Sequence, residues 1–378
     1  MIYYFDNCAS TKVDDEVLKN INKFHTENYF NPSAENKYSV EVRKMLNNSR
    51  QEIADCLGAN SNELIFTSGG TESNNMAIFG SVKLRRNGNI VLTATEHAAC
   101  YNAVKELSNR GIEMRVSAVT SDGHVDKDSL YSLIDENTIL VCVMHINNET
   151  GAINDIKEIV ARVKSINPNA IFFSDGVQAV GKIKINLHNL GVDLYSFSGH
   201  KIHGSKGTGV LYVNKKLSVN PLIYGGGQES GMRSGTEYVA GLATLGQTVK
   251  IATNLIEENS NKYLDFKKYI TDNLTVNYMV ICTNDCSPSI LSLAFPNTKS
   301  EVLLHMLEQN GIIVGTGSAC SAKKKSRVAE AIKLQDSYVS GVMRISFSKY
   351  TNIKEVIYLT ACLNEYIPRL ANAMGVNN

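Results

Sequence analysis

Hydrophobic residues between positions 38 and 57 recur at the spacing of one face of an α-helix. They are Tyr38, Val42, Met45, Leu46, Ile53 and Leu57. Glycine follows at position 58, and glycine commonly ends a helix in the left-handed conformation, so the pattern predicts a helix that stops there. The run Glu63–Thr67 then predicts a strand, and Ser68-Gly69-Gly70 predicts a turn before a helix that opens at Thr71.

Short apolar runs typical of strands alternate with helical stretches over the next part of the chain. The further predicted strands are Ile90–Thr95, Ile112–Val116, Ile139–Met144, Ala170–Ser174, Leu194–Phe197 and Gly209–Val213. Strand–helix alternation predicts an α/β fold with a mostly parallel sheet that is covered on both faces. Ligands of such sheets bind beyond the carboxyl ends of the strands, so polar residues at those ends are the candidates for function.

The pattern changes in the last third of the chain. A long helical stretch is predicted over Ala240–Asn273, and beyond it strands and helices mix. The predicted strands are Ile290–Ala294, Ile312–Val314 and Met343–Phe347, and the predicted helices are Glu301–Gln309 and Asn352–Leu370. We expect a large domain of residues 12–256 and a smaller α+β domain of residues 1–11 and 257–378, which the amino-terminal strand joins.

Composition and charge exclude several classes of function. The 38 Lys and Arg residues nearly balance the 37 Asp and Glu residues, for a formal net charge of +1, so no global attraction to nucleic acid is expected. The amino terminus lacks the basic and apolar regions of a signal peptide, and no apolar run is long enough to cross a membrane. A cytoplasmic protein is predicted, with no membrane and no direct nucleic-acid partner.

The eight cysteines are scattered through a chain of 378 residues, which predicts reduced thiols rather than a disulfide framework. Cys282 and Cys286 have a spacing that half a metal site would use. No second pair of Cys or His residues accompanies them in the sequence, so no metal is predicted.

A lysine and an aspartate each follow an apolar strand-like run. Leu194–Phe197 leads into Ser198-Gly199-His200-Lys201, and Asp175 closes Ala170–Ser174. A lysine amine becomes nucleophilic where burial or nearby cations disfavour its charged form, and an imidazole and small residues adjoin Lys201. Such a lysine can form a Schiff base with pyridoxal phosphate, while a buried carboxylate keeps the pyridinium nitrogen protonated. A surface lysine and a helix-capping aspartate are the alternatives for either residue alone.

Three more motifs follow predicted strands. Gly70 and Thr71 lie in a glycine-rich turn before a helix, where the backbone and a hydroxyl can donate to a phosphate. His97 can stack on a planar cofactor or transfer protons, and an amide such as that of Asn148 can donate to a phenolate oxygen. A tight connection, a helix-capping histidine and an ordinary turn are the respective alternatives. Their shared position at strand ends favours a single pocket.

Taken in chain order, the motifs resemble those of the cysteine desulfurases, pyridoxal phosphate enzymes of fold type I in the class V aminotransferase group that include NifS and IscS. The resemblance runs over nearly the whole chain. The motifs that carry it are Asp6-Asn7-Cys8-Ala9-Ser10-Thr11, Thr95-Glu96-His97, His145–Gly151, Ser174-Asp175-Gly176-Val177-Gln178, Ser196–Lys201, Gly225–Glu229, Gly231–Thr236 and Arg344–Ser348. It implies a large domain with the fold of the pyridoxal phosphate-dependent transferases.

The resemblance also implies a role for each matched position. Lys201 would form the Schiff base with pyridoxal phosphate, and Asp175 would pair with the ring nitrogen. Gln178 and Asn148 would donate near the ring hydroxyl, and His97 would stack on the ring and serve as an acid–base group. The residues that would hold the phosphate are Gly70, Thr71, Ser198 and His200.

Three further positions would serve the substrate and the oligomer. Thr236 matches a residue that reaches the phosphate of the neighbouring subunit, so a homodimer with shared sites is implied. Asn31 and Arg344 match positions that hold the substrate carboxylate, and the planar fork of a guanidinium suits this task. An ordinary salt bridge is the alternative for Arg344 alone.

Cys320 distinguishes this resemblance from other enzymes of fold type I. It lies in a run of small residues, Gly315–Ala322, and three lysines follow at 323–325, which should favour the thiolate. In the family this cysteine attacks the sulfur of the substrate, which leaves L-alanine and a persulfide on the enzyme. The resemblance therefore implies a cysteine desulfurase that acts on L-cysteine and hands sulfur to an acceptor protein.

The acceptor would belong to iron–sulfur cluster assembly or to tRNA thiolation, and the sequence around Cys320 is more similar to the subgroup that serves tRNA thiolation. Selenocysteine lysis, transamination and a non-catalytic scaffold of the same fold are the alternatives. Cys320 argues against transamination, and intact Lys201, Asp175 and His97 argue against a scaffold. Ser230 departs from the family, which usually has arginine there.

Overall fold

The computed structural model describes residues 2–82, 88–316 and 326–373. Within these ranges the chain forms twelve strands. They are β1 (Tyr3–Phe5), β2 (Leu64–Thr67), β3 (Asn89–Thr93), β4 (Glu113–Ser117), β5 (Thr138–Cys142), β6 (Ile171–Asp175), β7 (Leu194–Ser198), β8 (Gly209–Val213), β9 (Met279–Val280), β10 (Ile290–Ala294), β11 (Ile312–Thr316) and β12 (Val342–Ser346).

The same ranges contain fourteen α-helices. They are α1 (Asp15–Thr26), α2 (Lys37–Leu57), α3 (Gly70–Ser81), α4 (Ala98–Asn109), α5 (Lys127–Ser132), α6 (Ile156–Ile166), α7 (Leu187–Leu190), α8 (Val239–Leu242), α9 (Leu245–Asn254), α10 (Ile256–Asn273), α11 (Ser300–Glu308), α12 (Arg327–Ala331), α13 (Asp336–Val339) and α14 (Ile353–Ala373). As predicted, α2 ends at a left-handed Gly58, with φ at +62°. No described helix is long and apolar enough to cross a membrane.

Seven strands form the large sheet, in the order β2-β8-β7-β6-β5-β3-β4. The five strands from β7 to β4 are parallel, and β8 is antiparallel to both of its neighbours. Because two antiparallel steps restore the direction, β2 points the same way as β7. The carboxyl ends of every strand except β8 therefore lie at one edge, and the predicted mostly parallel α/β sheet is confirmed.

Hydrophobic clusters cover both faces of the large sheet. Neighbouring residues of a strand point to opposite faces, and Phe172 of β6 belongs to one cluster while Phe173 belongs to the other. Tyr195 and Leu194 of β7 divide in the same way. All four side chains are fully buried, so this sheet is a rigid base for the residues at its edge.

Five strands form the small sheet, in the order β1-β11-β12-β10-β9. The amino-terminal strand β1 pairs in parallel with β11, as predicted. A separate hydrophobic cluster that includes Phe5, Phe295 and Phe347 packs this sheet against α10, α11 and α14. The boundaries at residues 11 and 256 stay a prediction.

The prediction of one helical stretch over Ala240–Asn273 was wrong, because three helices occupy it. The first break has a clear cause in the buried hydroxyl of Ser49 on α2. This hydroxyl donates to the carbonyl oxygen of Leu242 at 2.6 Å and accepts from the amide of Gly246 at 2.8 Å. In a continuous helix, that amide and that carbonyl would bond to each other.

Candidate active site

Polar residues gather at the shared carboxyl edge of the large sheet. Asp175 is the last residue of β6, and Ser198 is the last residue of β7. Lys201 ends the single 3₁₀ turn that follows β7. Asn148 follows β5, and His97 follows β3. The parallel arrangement of these strands brings the side chains to one place, as the sequence predicted.

A cavity of about 200 Å³, open to solvent, lies at this edge. Its walls contain nine of the residues that the sequence singled out, namely Gly70, Thr71, His97, Asn148, Asp175, Gln178, Ser198, His200 and Lys201. Four other residues also line it, Cys8, Asn74, Met144 and Val177.

Lys201 is half-buried in the wall of the cavity. Its Nζ donates to the carbonyl oxygens of Cys8, at 2.5 Å, and Ala9, at 2.9 Å. Burial, followed by the positive charge of Lys182, lowers the pKa of Lys201 to about 8. A substantial neutral fraction of the amine is therefore present near neutral pH, and the neutral amine is the nucleophilic form.

Asp175 is buried, and its carboxylate is held on both oxygens. The side-chain amide of Asn74 donates to Oδ2 at 2.7 Å, and the backbone amide of Val177 donates to Oδ1 at 2.9 Å. Ser196 in turn donates its hydroxyl to Oδ1 of Asn74 at 2.5 Å, which fixes the orientation of that amide. Sequence reasoning missed Asn74, because in the sequence it is an ordinary polar residue of a helix.

Gln178 and Lys182 extend this group of polar contacts. The amide of Gln178 donates to the carbonyl oxygen of Cys8 at 3.0 Å, so Gln178 and Lys201 share one acceptor. The ammonium of Lys182 donates to Oε1 of Gln178 and thereby orients its amide. Lys182 was also missed by the sequence analysis, and its charge bears on both Gln178 and Lys201.

The turn from β2 to α3 requires glycine at two positions. Gly69 has a φ of +151°, which side chains rarely allow. A Cβ on Gly70 would lie 2.7 Å from Cγ2 of Val177. The backbone therefore passes close to the chain after Asp175, and the amino end of α3 with Thr71 opens on the cavity.

Two histidines line the cavity in different states. His97 is exposed and accepts the backbone amide of Ala99 on Nδ1 at 3.1 Å, so it caps α4 and also faces the cavity. The Nδ1 of His200 lies 3.2 Å from the hydroxyl of Ser10. Burial, followed by the charge of Lys201, lowers the pKa of His200 to about 4, so its ring is neutral at neutral pH.

Glu96 fixes the turn that carries His97. It is fully buried, and burial raises its pKa to about 7. Its Oε1 accepts the backbone amide of Met144 at 2.7 Å and the hydroxyl of Thr93 at 2.8 Å. Glu96 thereby joins the end of β3 to the chain after β5, which carries Asn148.

Arg344 lies in β12 of the small sheet and is not among the residues that line the cavity. It is nevertheless joined to the site, because its Nη1 donates to the carbonyl oxygen of Asn148 at 2.8 Å. Its Nη2 forms a 2.6 Å ion pair with Oδ1 of Asp6. The buried Nε has no hydrogen-bond partner in the described part of the chain.

The remaining sequence candidates lie apart from the cavity or outside the described ranges. Asn31 is exposed in a loop, and its Oδ1 accepts the backbone amide of Ser33 at 2.9 Å. Thr236 is exposed and lines a separate surface depression with Arg233. Cys320 lies outside the described residues.

Comparison with known proteins identifies the family. The sequence profile of the Aminotransferase class-V family matches residues 3–359. Cysteine desulfurase IscS of Dictyoglomus turgidum is 35% identical over 375 residues, which are 97% of this chain and 95% of that protein. The chain belongs to the cysteine desulfurases of this family.

Two solved structures of similar fold agree with this assignment. A NifS-like protein superposes with a TM-score of 0.93 at 34% identity, over 98% of this chain and 100% of that one. SspA in complex with cysteine superposes with a TM-score of 0.81 at 29% identity, over 93% of this chain and 100% of that one. The predicted family and fold class are therefore confirmed.

The departure from the family at Ser230 lies in a strained turn. Glu229 and Ser230 both have positive φ, of +49° and +56°. The carboxylate of Glu229 holds this turn, because it accepts from both terminal nitrogens of Arg50, at 2.7 and 2.6 Å, and from the backbone amide of Phe66 at 2.7 Å. Ser230 is exposed, so its side chain fills no buried position in this turn.

Proposed function

We propose that this protein converts L-cysteine to L-alanine with pyridoxal phosphate bound in the cavity at Lys201, and that the sulfur passes to Cys320 as a persulfide. The observation that carries the proposal is a lysine with a pKa of about 8 in the same cavity as an anchored, buried carboxylate. Membership of the cysteine desulfurases and the cysteine bound in the SspA structure support this choice of substrate.

The donors and acceptors of the cavity fit pyridoxal phosphate. Asp175 offers a fixed carboxylate for the ring nitrogen, and Lys201 offers an amine for the aldehyde. Gln178 and Asn148 would contact the ring hydroxyl, and His97 would lie against the ring. The residues for the phosphate are Gly70, Thr71, Ser198 and His200. When bound, the cofactor supplies an electron sink for the bond that breaks at the substrate α-carbon.

Lys201 would act as the base of the reaction. With a pKa of about 8, its amine can both take the α-proton of the substrate and return a proton near neutral pH. The carbonyl oxygens of Cys8 and Ala9 accept from its Nζ and hold it at the cavity wall. His200 is the neighbour of Lys201 in the chain and is neutral near neutral pH, so it adds no second positive charge beside the amine.

Arg344 would hold the substrate carboxylate, with Asn31 as a second contact. The unpartnered Nε supports this role, because a buried guanidinium nitrogen without an acceptor is costly and a carboxylate would satisfy it. Asp6 and the carbonyl oxygen of Asn148 occupy Nη2 and Nη1 and fix the plane of the guanidinium. A fixed plane holds the N–H of Nε in one direction, which favours a charge-assisted hydrogen bond to a carboxylate.

The described residues on either side of Cys320 support its place in the reaction. Before it, Gly315 of β11 pairs with Arg344. After it, the hydroxyl of Ser326 donates to Oε2 of Glu149 at 2.9 Å, and Arg327 donates to the carbonyl oxygens of Ala94 and Glu96. The described residues that flank Cys320 in the sequence thus contact residues next to the cavity, which supports the proposed reaction of Cys320 with a substrate sulfur.

The assembly would be a cytoplasmic homodimer. Thr236, which would contact the partner's cofactor phosphate, is exposed in its own chain, and so are the nearby apolar residues Leu222, Ile223 and Tyr224. An acceptor protein of iron–sulfur cluster assembly or tRNA thiolation would take the persulfide sulfur. The domains proposed are residues 12–256 and residues 1–11 with 257–378, in keeping with the separate hydrophobic clusters of the two sheets.

Replacing Cys320 tests the function. The Cys320→Ser variant should retain pyridoxal phosphate and should still change its absorption spectrum when cysteine is added, because those steps do not use the thiol. Alanine and sulfide release should fall by at least about 100-fold, because a hydroxyl is a far weaker nucleophile toward sulfur than a thiolate. Alkylation and mass spectrometry should find the persulfide at Cys320 in the wild type. Alanine formation near the wild-type rate in the variant would contradict the proposal.

A further inference from the structure

A pair of cysteines lies in the turn that precedes β10, outside the lining of the cavity at Lys201. They are Cys282, which is buried, and Cys286, which is half-buried. The thiol of Cys282 donates to the carbonyl oxygen of Asn284 at 3.4 Å, and the two thiols lie close enough for each to shift the pKa of the other. Neither is among the residues that line the cavity, and the function proposed above uses neither.

The turn brings the two cysteines together and fixes them against the large domain. Asp285 has a left-handed backbone, with φ at +44°. Its carbonyl oxygen accepts the amide of Ile153 at 2.8 Å, and the amide of Ser287 donates to the carbonyl oxygen of Gly151 at 2.7 Å. Cys286 itself forms a β-bridge with Ala152. The geometry of the thiol pair is therefore set by backbone contacts rather than by a free loop.

Basic side chains from two other elements lie beside the pair. On α10, the Nζ of Lys267 lies 3.9 Å from Sγ of Cys286 and donates to the carbonyl oxygen of Ser287 at 2.5 Å. In the hairpin before α5, Nε2 of His124 lies 3.2 Å from the carbonyl oxygen of Asp285, and Nδ1 lies 3.1 Å from Asp122. A cation next to one thiol of a pair favours the thiolate at that position.

The two thiols are affected in opposite directions. The neighbouring thiol of Cys282, and then Lys267 and His124, hold the pKa of Cys286 below its usual range against the opposing effect of burial. The neighbouring thiol of Cys286, then burial and the charge of Asp122, raise the pKa of Cys282. The half-buried sulfur is thus the nucleophile, and its buried partner keeps a proton.

We propose that Cys282 and Cys286 form an oxidisable dithiol site, at which a hydroperoxide oxidises Cys286 and Cys282 then closes a disulfide. In the first step the Cys286 thiolate attacks a peroxide oxygen. An S–O bond forms, the O–O bond breaks, and the departing oxygen takes a proton. In the second step the sulfur of Cys282 attacks that of Cys286. The S–O bond breaks, water leaves with the thiol proton of Cys282, and the two thiols have supplied the two electrons that reduce the peroxide.

Cys56 provides an internal control for the reactivity of Cys286. It is also half-buried, but burial raises its pKa. At pH 6.5, iodoacetamide should modify Cys286 at least about tenfold faster than Cys56 in the folded full-length protein, because the thiolate is the reacting form. Mass spectrometry of peptides at successive times measures both rates in one sample. Equal rates would overturn the assignment of Cys286 as the nucleophile.

Variants of α10 test the role of Lys267. Lys267→Met should slow the alkylation of Cys286 several-fold at pH 6.5, and Lys267→Arg should restore it. Lys268→Met is the matched control, because Lys268 is exposed on the same helix and pairs with Asp272. The rate at Cys56 in each sample reports whether the variant is folded. A Lys267→Met rate equal to that of Lys268→Met would remove Lys267 from the site.

Hydrogen peroxide tests the disulfide itself. After treatment of the wild type, the peptide that contains both cysteines should be 2 Da lighter by loss of two hydrogens and should recover its mass with dithiothreitol. In Cys282→Ser the oxidation should stop at the sulfenic acid of Cys286, which dimedone traps. A wild-type peptide that stays reduced, or a disulfide from Cys286 to any other cysteine, would overturn the proposal. The readout is independent of desulfurase activity, so the two proposals fail separately.

Discussion

Lys201 at the edge of the large sheet and Lys267 on α10 have similar surroundings and different neighbours. Both are half-buried, and burial is the main cause of a lowered pKa in each. Both donate to backbone carbonyl oxygens, Lys201 to Cys8 and Ala9, and Lys267 to Ser287. Lys201 faces a cavity with Asp175, whereas Lys267 faces the thiol of Cys286.

The two sites show that a buried lysine that donates to carbonyl oxygens can serve two kinds of chemistry. A carbonyl oxygen satisfies a lysine donor without carrying a charge that would neutralise it, so burial still disfavours the cation. At Lys201 the neighbouring space is open to a ligand, so the neutral amine is available to react. At Lys267 the neighbour is a thiol, so the remaining positive charge is used to stabilise a thiolate.

The largest effect is expected at Lys201 itself. Lys201→Ala should abolish the borohydride-reducible link to pyridoxal phosphate and should lower alanine formation by at least about 1000-fold, because both the amine and the base are lost. Mass spectrometry after borohydride reduction locates the pyridoxyl group. Lys206→Ala is the control, since Lys206 is an exposed lysine of the same loop. A pyridoxyl group on Lys206 or elsewhere in the wild type would contradict the assignment.

An intermediate effect is expected from Lys182, which supplies the largest charge effect on Lys201 after burial. Lys182→Met removes a nearby cation and should raise the pKa of Lys201, so less neutral amine is present at pH 7. We expect the activity at pH 7 to fall between about two- and tenfold and to recover toward pH 9. In the cofactor-free full-length protein, acetylation of Lys201 should shift to higher pH.

Two controls sharpen the test of Lys182. Lys182→Arg keeps a charge and a donor for Gln178, so the acetylation profile of Lys201 should stay close to that of the wild type. Lys184→Met removes a lysine two positions away that is exposed and lies near Glu257, and it should leave the profile unchanged. If Lys182→Met and Lys184→Met gave the same profile, Lys182 would have no electrostatic role at Lys201.

The sequence predicted the part of the site that strand order determines. Asp175, Ser198 and Lys201 each follow a short apolar run, and the rule that parallel strands align their carboxyl ends brought them together without any contact being known. Gly70 was predicted for a similar reason, because glycines in a strand-to-helix turn are a local signal. Such signals need only a few neighbouring residues and the direction of the strands.

The features that the sequence analysis missed depend on contacts between distant parts of the chain. Arg344 was predicted, but its ion pair with Asp6 was missed. The two residues are 338 positions apart, and the sequence near either of them does not indicate the pair. Asn74 contacts Asp175 across 101 positions. The break between α8 and α9 depends on Ser49, 193 positions from Leu242. In each case a hydrogen bond between elements that are distant in sequence determines the local arrangement, and the local sequence pattern does not indicate that bond.

The smallest effect is expected in the pH dependence of stability at Lys267. Burial lowers the pKa of Lys267 in the folded protein, so between that pKa and about 10.4 the unfolded chain binds more protons. Stability should therefore rise with pH through this window, and the lowered pKa of Cys286 acts in the same direction. Lys267→Met should make the rise between pH 6 and pH 10 smaller than in the wild type, because the lysine that loses its proton more readily in the folded protein is gone. The exposed Lys268 of the same helix is again the control, and Lys268→Met should preserve the wild-type slope. Urea unfolding of the three proteins at both pH values measures the difference. Equal changes of stability with pH in wild type and Lys267→Met would show that Lys267 is as well solvated in the folded protein as in the unfolded chain. Lys267 would then not be a buried lysine comparable to Lys201.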